Sequence, residues 1–89
     1  MPLEKVILAE GDENLRRTVA EFIRNKRIDV AEAGTIQDVY NYLGKDEFDL
    51  VFIDAKLPEC KLLDFFGDLN QRSEKPLVIP LVNGEPDTF

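Results

Sequence analysis

Residues 48–59 read FDLVFIDAKLPE: an apolar run that stops on an acid, Asp54, and then a short loop carrying Lys56 and Pro58. A short continuous apolar run bounded by turn signals describes a strand buried on both faces. Such strands belong to parallel sheets covered by helices. Two further runs share this character, KVILA (5–9) and PLVIPLV (76–82), and with DLVFI (49–53) they predict three buried strands. A weaker one, RIDVAEA (27–33), alternates Ile28 and Val30 with polar residues, as an edge strand does.

Helical patterns lie between the strands. From Asp12 to about Arg24, Leu15, Val19, Phe22 and Ile23 mark one face of a helix, with Asp12 as N-cap and Arg24 and Lys26 near the C-terminal end of the dipole. Thr35 opens TIQDVYNYL with Asp38 three residues on, and Gly44 follows as a stop. A third helix is predicted over Lys61 to Asn70, with Leu62, Phe65, Phe66 and Leu69 inward and Gly67 weakening it by about 1 kcal/mol. The order β-α-β-α-β-α-β, with right-handed crossovers, predicts a parallel α/β sheet with helices on both faces. One domain over residues 1–89 is expected, with a loose tail at 83–89.

Acids outnumber bases 18 to 11, for a net charge of −7. That field repels phosphate backbones and anionic lipid heads, so direct nucleic-acid or membrane binding by this chain is not expected. The lone Cys60 excludes an intramolecular disulfide, and the absence of histidine argues against zinc and imidazole chemistry. No apolar run approaches the length of a membrane span, and the first residues lack a signal-peptide pattern, so a cytoplasmic location is expected.

In open parallel sheets the chemistry gathers at the carboxyl ends of the strands. If KVILA and DLVFI are neighbours, Glu10 and Asp12 after the first meet Asp54 after the second. Carboxylates brought together in a partly dry crevice repel one another unless a cation such as Mg²⁺ neutralises them. Asp54 would then also be a nucleophile toward phosphorus. Asp12 reads equally as a helix cap or as a ligand.

These residues resemble the receiver (CheY-like) domain of two-component response regulators, which accepts a phosphoryl group from a histidine kinase onto an aspartate. VILAEGDENLRR is similar to the family's opening strand and acidic pair, and DLVFIDAKLPE to the strand that closes on the phosphoacceptor. The resemblance implies a flavodoxin-like α/β/α fold with a short parallel sheet of about four strands in the order 2-1-3-4. It implies Asp54 as phosphoacceptor, and Glu10, Asp12 and the backbone carbonyl of Lys56 as the Mg²⁺ ligands. It also implies a histidine kinase or phosphodonor as partner, an output domain, and no enzymatic activity beyond self-phosphorylation.

Three departures point to an atypical, truncated receiver. Gly11 stands where the family has its second acid, which predicts weak or absent Mg²⁺ binding. The switch hydroxyl is not evident, since Val82 and Asn83 occupy the positions expected to carry it. Receivers also continue for roughly 30 more residues, through a helix, a strand bearing a lysine and a last helix. Pro80 fits an edge strand rather than an internal one. An uncovered edge predicts a homodimer, with Pro80, Leu81, Phe65 and Phe66 at the interface. The resulting expectation is a regulatory interaction module with impaired phosphoryl switching; the alternative is a working phosphoacceptor belonging to a longer regulator. DLVFIDA with Lys56 also resembles a strand of some S-adenosylmethionine-dependent methyltransferases, but EGDEN offers one glycine and three acids where their cofactor loop is glycine-rich.

Overall fold

The computed structural model describes residues 4–54, 56–57, 67 and 76–81. Four parallel strands, β1 (Lys5–Ala9), β2 (Asp29–Ala33), β3 (Leu50–Asp54) and β4 (Leu77–Leu81), form one sheet in the order β2-β1-β3-β4. Helix α1 (Glu13–Arg24) connects β1 to β2, and α2 (Ile36–Leu43) connects β2 to β3. The expected strand order is therefore present. The helix expected over 61–70 and the tail at 83–89 lie outside the described residues, as do Phe65, Phe66, Val82 and Asn83.

Register decides which side chains share a face. Ile7 pairs with Val51 and Ala31, and Ala9 with Ile53 and Ala33, so these residues point one way. There they pack with Val39 and Leu43 of α2 and with Leu57, forming the buried core. Val6 and Leu8, also buried, face the opposite side with Glu32, where α1 lies across β1 and β2. Both helices begin as the sequence implies. The Asp12 side chain accepts from the Leu15 N–H, and the Thr35 hydroxyl accepts from the Asp38 N–H at 3.1 Å.

The inward face of α1 differs from the sequence expectation. Its buried residue is Ala20, flanked by half-buried Arg16, Val19 and Ile23, whereas Phe22 is 64% exposed and Leu15 is also exposed. Positions 16, 19, 20 and 23 follow the i, i+3, i+4, i+7 spacing of a buried stripe. Hydropathy alone favoured the larger side chains, but Ala20 lets the helix approach the sheet.

The two sheet edges differ. Asp29 donates to the Glu4 carbonyl and Ala33 accepts from the Glu10 N–H, so odd residues of β2 bond to β1 and the main chain of Val30 and Glu32 points outward. Arg24 Nη2 donates to the outward carbonyl of Val30 at 3.0 Å, and the Tyr42 hydroxyl donates to that of Glu32 at 3.0 Å. On the far side, the Leu77 N–H bonds to the Asp49 carbonyl, which by alternation turns the main chain of Val78 and Pro80 away from β3. Pro80 thus forfeits no ladder bond, as the edge-strand reading of PLVIPLV requires.

Candidate functional site

The site lies where β1 and β3, side by side at the middle of the sheet, reach their carboxyl ends. Ala9 pairs with Ile53, so the next residues, Glu10 and Asp54, emerge together. Both are buried, at 6% and 7% exposure, which is uncommon for carboxylates without partners. Burial pushes the Glu10 carboxyl above its ordinary range, and the hydrogen bond it makes to Asp54 in its protonated form raises it further. The nearby charges of Asp54 and Asp12 act in the same direction, opposed by the Asp12 N–H, which donates to Glu10 Oε1 at 3.3 Å.

The loop after β3 holds Asp54 in place. The Lys56 N–H donates to Asp54 Oδ1 at 2.9 Å, and the Leu57 N–H donates to the Asp54 carbonyl at 3.1 Å. A carboxylate that accepts from the residue two positions on closes an Asx turn, which orients one oxygen and leaves the other for chemistry. The Lys56 side chain is exposed, so its charge faces solvent while its main chain faces the site.

Asp12 sits differently from the other two acids. Its side chain is exposed, and its Oδ1 accepts from the Leu15 N–H at 3.1 Å, which commits it to capping α1. Gly11 contributes no side chain; a Cβ built there would meet Leu57 Cδ2 at 3.4 Å, an ordinary contact. Among the described residues no group of three or more acids, cysteines or histidines is placed to hold a metal ion. The structure therefore assembles the Glu10–Asp54 pair and leaves the Asp12 carboxylate at the helix end. Two buried carboxylates side by side are oxygen donors of the kind hard divalent cations take.

Sequence reasoning missed three residues around the pair. Arg16 Nη1 donates to the Glu10 carbonyl at 2.9 Å. Gly34 leaves room for that guanidinium, since a Cβ there would stand 3.2 Å from Nη1. Leu57 is buried over the loop. The available signal was the spacing itself, because Arg16 occupies a core-stripe position of α1.

Two strand-end acids at the middle of a four-stranded parallel α/β sheet in the order β2-β1-β3-β4 belong to a flavodoxin-like fold. The chain belongs to the response regulator receiver domain family, whose model matches residues 6–88. Solved structures agree on the fold. A response regulator receiver domain protein from Bacillus halodurans superposes with a TM-score of 0.81 at 13% identity, covering 94% of this chain and 73% of that one. The chemotaxis response regulator CheY4 of Vibrio cholerae gives 0.81 at 17% identity, covering 98% and 75%. The receiver domain of the Saccharomyces cerevisiae regulator Ssk1, solved with the histidine phosphotransfer protein Ypd1, gives 0.75 at 19% identity, covering 98% and 68%. Among curated proteins, none matches the sequence. Among the described residues no helix is long and apolar enough to cross a membrane.

Proposed function

We propose that this receiver domain is atypical: Asp54 keeps the phosphoacceptor position, but the domain acts mainly through protein contacts, with weakened phosphoryl switching. One observation carries the reading. The acid cluster is reduced to the Glu10–Asp54 pair, because Gly11 has no side chain and Asp12 is spent on the α1 cap. Receiver domains commonly bind Mg²⁺ at the phosphorylation site, and here Glu10, Asp54 and the Lys56 carbonyl would hold it. The ion, when bound, neutralises the paired carboxylates and the oxygens of the incoming phosphoryl group. Phosphorylation would consist of an Asp54 carboxylate oxygen attacking phosphorus while the donor's own bond to phosphorus breaks, P–N in a phosphohistidine or P–O in acetyl phosphate, leaving an acyl phosphate on Asp54 and the freed imidazole or acetate.

The partners supported by this reading are a histidine kinase or phosphotransfer protein, an output domain, and a second copy of the chain. For the last, Leu77 and Ile79 are exposed on one face of β4. The expected interface residue Leu81 shares that face, and Pro80 lies on the opposite one. The alternative reading, a fully working Mg²⁺-dependent receiver, is supported by the oriented Asp54 carboxylate itself.

Incubation with Mg²⁺ and acetyl phosphate or beryllofluoride, read by intact mass and sedimentation with Asp54→Asn as control, separates the two. Substoichiometric or absent adduct with a dimer present in all conditions is the expected outcome. A stoichiometric adduct that is lost in the control and changes sedimentation would establish the alternative.

A further inference from the structure

Arg16 is an unusual residue for its position. It is the fourth residue of α1, in the N-terminal half of the helix, where the dipole does not favour a cation. Its side chain is only 17% exposed, in a core-stripe position. A guanidinium is costly to hold there unless its donors are used. They are used on two strands at once. Nη1 donates to the Glu10 carbonyl at 2.9 Å, and Nε faces Glu32 Oε1 of β2 at 3.5 Å, buried and without a well-formed hydrogen bond. Glu32 is held from its other side by Arg24 Nη1 at 3.2 Å, and its carbonyl by the Tyr42 hydroxyl at 3.0 Å.

Both main-chain groups of Glu10 are thereby fixed to or through β2. Its N–H donates to the Ala33 carbonyl at 2.9 Å, and its carbonyl accepts from Arg16. Gly34, directly after Ala33, makes the arrangement possible by leaving the guanidinium room. The chain departs from β1 at Glu10, and without the Arg16 bond nothing among these contacts fixes the peptide that follows its carboxylate.

We infer that Arg16 is a positioning residue for the candidate phosphoacceptor site, clamping the Glu10 peptide to β2 so that the Glu10 carboxylate is presented beside Asp54. The inference rests on the proposed role of the Glu10–Asp54 pair as a cation site. Arg24 supplies the control, because it grips the same Glu32 but makes no contact with Glu10.

The test compares the full chain with Arg16→Gln, Gly34→Ala and Arg24→Gln, by amide hydrogen exchange and by Mn²⁺ binding followed by electron paramagnetic resonance. In Arg16→Gln the Glu10 amide is expected to exchange about tenfold faster relative to the Ile7 and Leu8 amides of the same variant. Mn²⁺ affinity should fall about tenfold, the low end of what outer-sphere partners cost. Gly34→Ala should move both readouts the same way by less, and Arg24→Gln should move neither. Equal effects of Arg16→Gln and Arg24→Gln, or an unchanged Glu10 amide in Arg16→Gln, would overturn the inference. If the parent chain binds no Mn²⁺, the cation reading of the site fails, and the Glu10 amide still decides for or against the clamp.

Discussion

Glu10 is held in the fold at an electrostatic cost, since its carboxyl favours the protonated form more strongly in the folded chain than in the unfolded one. A carboxyl whose folded value is raised contributes stability that is present below its unfolded value and is lost as pH rises through the folded value. At neutral pH the charged Glu10 therefore weakens the fold. Glu10→Gln should raise the melting temperature at pH 7.5. The gain should shrink as pH falls through the raised folded value and vanish only below the ordinary glutamate value of about 4.3, where the parent carboxyl is protonated in both states. Thermal melts at both pH values, without divalent cations, check this. The positions of Asp54 and Glu10 were legible in the sequence because strand-end acids follow from pattern and spacing. The capture of Asp12 by the α1 cap was only one of two readings, since a side chain that suits both roles is decided by geometry.

Among the described residues the elements were legible to within a residue or two, and the N-caps of both helices by identity. Thr35 closes the start of α2, which has only eight residues and so draws little stability from length. Thr35→Ala should cost about 1 kcal/mol, seen as a lower urea midpoint with an unchanged slope. Packing is where the pattern misled. Leu15 and Phe22 looked like core on α1, yet Ala20 lies at the contact and Arg16 shares its stripe. Ala20→Leu should therefore destabilise by about 1–3 kcal/mol through overpacking, despite being more hydrophobic. Denaturant unfolding reads that sign directly. An amphipathic pattern ranks faces by hydropathy, but the distance between helix and sheet rewards small side chains.

At the scale of the molecule, α2 caps the core on one side of the sheet, and α1 covers β1 and β2 on the other. Leu77 is 65% exposed on the α1 side of β4. If the proposed dimer forms there, Ile79→Lys should give a monomer by sedimentation while circular dichroism stays that of the parent. The parallel α/β sheet followed from the alternation of strands and helices, and its strand order from the family resemblance that the strand-end motifs carry. The association state did not, because exposure at β4 depends on what the sheet meets rather than on the strand's own residues.

Pro80 has one more effect, on what the sheet refuses. Its outward position at β4 means that the described edge offers a single N–H, that of Val78, to an approaching strand. At β2 the outward carbonyls are already occupied by Arg24 and Tyr42. Pairing of the β4 margin of one copy with the β2 margin of another would therefore lack the bonds that run from β4 N–H groups to β2 carbonyls and keep only those in the other direction. Fibre growth needs both margins open in register. The margins of this receiver domain are thus poorer in free bonding groups than their apolar strands suggest, and a single exchange, Pro80→Val, would return a donor to the margin from which it is missing.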